Sequence, residues 1–233
     1  MSSGSQLIAA ARAQRHRALD ELAGKQLLTS FGVNVPKSVV VPDAGAVARA
    51  LAALRPPLVV KVMSPDILHK SDAGGVKINL RNAAEVEQAI TAMAASPKIS
   101  AARVEGYLIE EMAPDGQEIV IGAVRDPQFG PLVMVGLGGI FVEVLADVVF
   151  RICPITRLDA QEMLAELKGA AILKGARGRK PVSQDTIIEA LLKIAGDDGL
   201  LLHHADDIKE ADINPLIVSE SGAVAVDARF VLT

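Results

Sequence analysis

The stretch SPDILHKSDAGGVKINL, residues 64–80, places His69, Lys70 and Asp72 just ahead of the diglycine Gly74-Gly75. Imidazole is a nucleophile at neutral pH and can accept a phosphoryl group as a covalent relay. A diglycine lets the backbone approach a ligand closely and present successive N–H groups to an anion. Lys61 lies on the strand-like run LVVKVM that leads into this loop, and both alternating faces of that run are otherwise apolar. An uncompensated buried ammonium costs several kcal/mol, so Lys61 needs an anion nearby. That anion is either a carboxylate in a structural salt bridge or a phosphate of a bound ligand; at a sheet edge the ammonium could instead snorkel to water.

A second set lies at the C-terminus. Along ADINPL, Asp212 and Asn214 share one strand face while Ile213 points to the other. If Glu220-Ser221 form a two-residue turn, Ser219 faces Gly222 and, counting back, Asn214 stands opposite Asp227 with Cβ atoms ~5 Å apart. An amide oxygen and a carboxylate so placed suit one hard cation such as Mg²⁺. A bulged turn would break this register, and a plain polar cross-strand pair is the alternative. Glu110, Glu111 and Glu118, in YLIEEMAPDGQEIVIG, fall on two strands joined by a short Pro-Asp-Gly loop. They read either as solvated strand ends or as a hinge that grips a base and its ribose. GLGGIF, residues 136–141, lacks the GxGxxG spacing and is followed by a β-like run where a helix should open, so it is no dinucleotide fingerprint.

The elements that must position these residues are legible in outline. Apolar spacing predicts a helix over 6–31, stopped by Gly32, with SSGS at residues 2–5 as a disordered leader. KSVVV is a strand, and Asp43 caps a helix that ends before Pro56-Pro57. LVVKVM and GVKINL are strands on either side of the histidine loop, and a helix spans 83–95. From Val104 the texture becomes strand-rich: VEGYLIEEM, QEIVIGAVRD, PLVMVGLG and VFRIC. Helices over 159–168 and 183–197 and a closing hairpin complete the chain. The order points to an α+β protein of two lobes meeting near residue 104 rather than a doubly wound sheet. Expected boundaries are an N-terminal segment 1–20, a smaller lobe 21–104 with the His69 loop, and a larger lobe 105–233 with the metal hairpin.

Composition narrows the function classes. Half of the 233 residues are hydrophobic but only 3% are aromatic, so the core must be aliphatic. A net charge of −4 without a basic run argues against a reader of nucleic acid, and the scarcity of aromatics against a base-stacking platform. A single cysteine, Cys153, excludes a disulfide framework and a Cys-based zinc site. No signal-peptide pattern and no uncharged run of ~20 residues is present, which gives the expectation of a cytoplasmic protein without membrane contact.

Taken together, SPDILHKSDAGGV, IEEMAPDGQEIVIGAVRDPQFGP, VGLGGIFVEVLADVVFRICP, LKGARGRKP and DINPLIVSESGAVAVDAR resemble the β subunit of ADP-forming acyl-CoA synthetases of the acetyl-CoA type, from about Leu19 to the C-terminus. The likeness to the succinyl-CoA synthetase β subunit is more distant. This resemblance implies an ATP-grasp fold, with two α+β lobes clamping a nucleotide. It implies Lys61 on the nucleotide phosphates, Gly74 and Gly75 shaping the loop over them, and Glu110, Glu111 and Met112 as the adenine hinge. By the same likeness Glu118 takes the ribose, Asn214 and Asp227 bind Mg²⁺, and His69 carries the phosphoryl group between ADP/ATP and a CoA-binding α partner or fused domain, in an α₂β₂ assembly. Glu143, Asp147 and Arg177 match family positions without an assigned role. After RGRKP, Ser183 stands where the family usually has an aspartate, and the next acid is Asp185. A regulatory ATP-sensing module without phosphoryl transfer, and a ligase that releases a free acyl-phosphate, are the competing readings. The acyl acid and the choice of ADP or GDP stay open.

Overall fold

A computed structural model describes residues 3–67, 69–139, 142, 144–175, 181–220 and 222–233. The helices are α1 (Ser3–Ala13), α2 (Glu21–Ser30), α3 (Val47–Ala50), α4 (Ala83–Ala95), α5 (Pro97–Ser100), α6 (Arg157–Glu166), α7 (Ala170–Leu173), α8 (Gln184–Ala195) and α9 (Leu200–His203). The strands are β1 (Ala18–Leu19), β2 (Ser38–Val41), β3 (Leu58–Met63), β4 (Val76–Leu80), β5 (Gly106–Glu111), β6 (Gln117–Asp126), β7 (Gly130–Leu137), β8 (Val148–Ile152), β9 (Ile208–Val218), β10 (Ala223–Ala225) and β11 (Arg229–Leu232). Among the described residues no helix is long and apolar enough to cross a membrane.

The chain divides into one unit made of residues 1–35 and 114–233 and a second made of Pro36–Ala113. This division differs from the boundaries expected at 20 and 104. The N-terminal 35 residues join the C-terminal part because β1 pairs antiparallel with β11, Leu19 opposite Phe230. The single helix expected over 6–31 is two helices. Arg15 takes a positive φ of 59°, β1 follows, and Asp20 restarts the helix by accepting the Ala23 N–H at 2.8 Å. Of the expected disordered leader, residues 3–5 are instead the first turn of α1, with Gly4 buried against Leu27 and His204.

In the smaller unit a four-stranded sheet has the order β2-β5-β3-β4. Its core is aliphatic, Val60, Val62, Val86, Ile90, Met93, Ile99 and Ile109 among them. In the larger unit a seven-stranded antiparallel sheet runs β1-β11-β9-β6-β7-β8, with β10 also on β9. Ile119, Ile121, Val133, Val135 and Ile213 point from this sheet into a core shared with α1, α2, α6 and α8. Alternation along the strands turns their neighbours to the opposite face. Ser183 caps α8 by accepting the Thr186 N–H, a role that serine and aspartate fill about equally well.

Candidate nucleotide and phosphoryl-transfer site

Within the smaller unit, β3 and β5 set Val59 opposite Glu110 and Lys61 opposite Leu108. Lys61 and Glu110 are therefore diagonal neighbours on one face. Lys61 Nζ lies 3.0 Å from Glu110 Oε2, and the two residues are only 5% and 1% exposed. The anion that the sequence demanded for Lys61 is thus a carboxylate on the adjacent strand. Glu110 is correspondingly a buried partner of Lys61 as well as the first residue of the expected hinge. Glu111 uses its carboxylate to accept the Arg55 N–H at 3.0 Å and donates its own N–H to the Lys37 carbonyl at 2.9 Å. Met112 donates to the Pro57 carbonyl at 2.9 Å. Both of these N–H groups are committed within the unit, which leaves only carbonyls and side chains of these two residues for the expected hinge contacts.

The histidine loop leaves β3 and returns as β4. Its last turn is knitted by the Gly75 N–H to the Lys70 carbonyl at 2.7 Å and the Gly74 N–H to the Ser71 carbonyl at 3.0 Å. The Val62 N–H donates to the Gly75 carbonyl at 2.8 Å, which pins the loop exit beside Lys61. Gly74 has φ +73°, a left-handed conformation that favours glycine, and a Cβ on Gly75 would lie 2.4 Å from Val62 Cγ1. The loop is also tied at Asp66, which accepts the Arg103 N–H at 2.8 Å, and at the Asp72 carbonyl, which accepts from Lys98 Nζ at 2.9 Å. His69 itself is exposed. The described residues of this loop therefore present an exposed imidazole beside a hydrogen-bonded turn.

In the larger unit the closing hairpin has the register expected from a two-residue turn. Val218 pairs with Ala223, Ile217 with Val224 and Leu216 with Ala225. The Asn214 N–H reaches the Asp227 carbonyl at 3.3 Å, and Asp227 Oδ1 accepts the Ala228 N–H at 2.8 Å. Strand pairing lapses around Asp227 and resumes in β11, where Arg229 faces Asp212. Asp212 belongs to this group although the sequence reading left it out of the metal pair; its signal was the shared face with Asn214. Burial, then the neighbouring Asp227 and Glu210 carboxylates, push its carboxyl above the ordinary value, against the pull of Arg229. Glu118, on β6, is exposed, and its carbonyl accepts the Gly138 N–H at 2.8 Å.

The hairpin's donors are all hard oxygens, and two of its carboxylates repel one another, which fits a small divalent cation. Among the described residues no cluster of three or more His, Cys, Asp and Glu forms a ready metal cage. Mg²⁺ does not require one, since it characteristically keeps water and takes only one or two protein carboxylates beside substrate phosphates. Of the family positions without a role, Glu143 and Arg177 lie outside the described residues. Asp147 is 3% exposed and accepts the Lys168 and Gly169 N–H groups, each at 2.8 Å, so it closes the turn into α7.

The ATP-grasp domain profile matches residues 10–232. The β subunit of acetate–CoA ligase (ADP-forming) I from Pyrococcus furiosus is 42% identical over all of this chain and 99% of its own length. The chain belongs to the ATP-grasp subunits of ADP-forming acyl-CoA synthetases. In acetate–CoA ligase (ADP-forming) I from Archaeoglobus fulgidus, 41% identical over 90% of this chain, the matching region is 30% of a longer polypeptide. A solved structure of acetyl-coenzyme A synthetase 1 from Candidatus Korarchaeum cryptofilum, with coenzyme A, Mg-AMPPCP and its phosphohistidine segment pointing towards the nucleotide-binding site, matches with a TM-score of 0.85. It is 37% identical, over 99% of this chain and all of that one. The family membership agrees with the two-sheet α+β architecture expected from the sequence.

Proposed function

We propose that this chain is the nucleotide subunit of an ADP-forming acyl-CoA synthetase in which His69 is the phosphoryl carrier. The observation that carries the reading is the carrier loop itself: an exposed imidazole on a turn whose exit is hydrogen-bonded to Val62, next to the buried Lys61. Lys61 would hold nucleotide phosphates, fixed in place by Glu110. Gly74 and Gly75 would bring backbone close to the same oxygens. Glu110 to Met112 would line the base and Glu118 the ribose.

In the direction that makes ATP, a β-phosphate oxygen of ADP attacks the phosphorus on His69. The P–N bond breaks as the P–O bond forms, and the imidazole recovers its lone pair. Lys61 offsets charge on the transferring oxygens, an effect that strengthens as water is excluded. Asn214 and Asp227, with Asp212 beside them, would hold Mg²⁺, which supplies charge neutralisation for the phosphates when bound. The group on His69 would come from an acyl-phosphate by way of a histidine on a CoA-binding partner, separate or fused, in an α₂β₂ enzyme of the cytoplasm.

The test is incubation of the purified chain with Mg²⁺ and ATP, followed by intact mass and peptide mapping. One acid-labile phosphoryl group on the His69 peptide, absent in His69→Asn, is the expected result. Nucleotide binding without any phosphohistidine, even with the CoA-binding subunit and acyl-CoA present, would overturn the carrier role.

A further inference from the structure

The larger unit leaves one face of its sheet uncovered at one edge. Of the nine large hydrophobic residues that are exposed among the described residues, four lie on two strands and a turn: Val124 and Phe129 on β6 and its turn, and Phe150 and Ile152 on β8. Such concentration is not the scatter of single apolar residues that any surface carries. The register shows how they are arranged. Glu210, Val124, Leu132 and Ile152 form one row across β9, β6, β7 and β8, and Asp212, Gly122, Met134 and Phe150 form the next. Directly opposed residues of antiparallel strands share a face, so these rows lie on the side away from the core. The same row that starts at the metal hairpin, at Asp212, ends three strands later at Phe150, about 14 Å away at ~4.8 Å per strand. Among the described residues no further strand pairs beyond β8, so a backbone edge is open there as well.

We infer that this face, centred on Phe150 and Ile152, is the docking surface for the CoA-handling polypeptide of the enzyme, an inference that rests on the function proposed above. Phe150 is 55% exposed, Ile152 50%, Phe129 59% and Val124 46%. Together they offer roughly 400 Å² of apolar surface, the size of the largest patch on a typical monomer, which is often a functional one. That is about half of the ~800 Å² that each side of a standard interface buries, in the proportion expected of an apolar core within a polar rim. A second copy of this chain would cover the area without bringing any acyl or CoA chemistry. A partner on the same face as Asp212 and Asn214 brings it alongside the phosphate end of the nucleotide. In the Archaeoglobus relative some 70% of the polypeptide lies outside the matching region, because that region is 30% of its length, so further polypeptide accompanies this region in the family even within one fused chain.

The test compares the wild-type chain with Phe150→Glu/Ile152→Glu, two exposed positions outside the core. Both are mixed with the CoA-binding subunit from the same organism and followed by sedimentation velocity and by acyl-CoA formation. The double variant is expected to keep its melting temperature and its ATP affinity as the isolated chain. Its affinity for the subunit should fall at least ~100-fold, and acyl-CoA formation should fall with it at low subunit concentration and recover as the subunit is raised. Unchanged affinity overturns the docking surface. A wild-type chain that dimerises alone, through a contact the variant loses while partner binding persists, assigns the face to a second copy and also overturns it. A wild-type pair that associates but makes no acyl-CoA overturns the proposed function while still testing the surface. No association by the wild type overturns both.

Discussion

Asn214 and Asp227 face one another across the closing hairpin, joined by the Asn214 N–H to the Asp227 carbonyl at 3.3 Å, at the point where regular strand pairing lapses. A backbone bond between two residues whose side chains carry oxygen donors fixes those donors as a pair before any ligand arrives. Under the proposed function, loss of one donor should cost cation affinity rather than fold. Asp227→Asn should weaken Mg²⁺-dependent ATP binding at least about tenfold, equivalent to ~1.4 kcal/mol, with the melting temperature nearly unchanged. Calorimetric titration of nucleotide with and without Mg²⁺ checks this.

Asp212→Asn should separate the repulsive part of the hairpin from its binding part. It removes one carboxylate from beside Asp227 and Glu210. The metal-free protein should gain about 1–2 °C in melting temperature, the scale of a screened surface interaction. The further rise produced by Mg²⁺ and ATP should shrink. An unchanged Mg²⁺ response would remove Asp212 from the cation site.

Lys61 and Glu110 form a buried pair, so single substitutions should be costly and paired ones mild. Lys61→Met alone leaves a buried carboxylate and should cost about 3–5 kcal/mol; Glu110→Leu alone strands the ammonium at similar cost. The double variant should return to within about 1–2 kcal/mol of wild type. It should nevertheless bind ATP far more weakly. Urea denaturation of all four proteins, together with nucleotide titration of the double variant, reads both halves of this expectation.

Gly75→Ala should be worse than Gly74→Ala. The new methyl at 75 meets Val62 Cγ1 at 2.4 Å and the Lys70 carbonyl at 3.1 Å, whereas the one at 74 meets no atom within 4 Å. Overpacking costs about 1–3 kcal/mol, against about 1 kcal/mol for an alanine held at positive φ. Melting temperatures order the two, and slower phosphohistidine formation in Gly75→Ala would follow from a loop exit displaced from Lys61.

Cys153 should be silent to thiol reagents in the folded protein. Burial pushes its thiol up to about 12, so at pH 8 it stays protonated and shielded. Because the folded thiol ionises later than the unfolded one, this contributes a loss of stability only as pH rises above the ordinary thiol range near ~8.5. Iodoacetamide at pH 8 should label the protein in urea and leave the native chain unmodified.

The legible parts of this molecule are those set by local chain geometry. The Asn214–Asp227 register follows from a two-residue turn, and the strands around the His69 loop follow from their apolar runs. The partner of Lys61 was not legible, because Glu110 lies 49 positions along the chain and only the β3–β5 pairing brings it near. The division of the chain was misread for the same reason. Leu19 carries no mark that it will pair with Phe230, and that non-local ladder, with Ile8, Leu27 and Leu28 packed in the larger core, moves the first 35 residues into the C-terminal unit. The interruption between α1 and α2 escaped notice because the apolar spacing runs on through Leu19, which is buried in β1 rather than on a helix face.

The two hydrophobic cores share no residue among those described: one draws only on positions up to 35 and beyond 118, the other only on positions 39 to 109. His69, Gly74, Gly75, Lys61 and Glu110 therefore occupy one uninterrupted block of the gene, inserted in a body that has its own core and the Asn214–Asp227 hairpin. A double crossover at the borders of Pro36–Ala113 would exchange that block between homologues as a cassette, each core keeping its own residues.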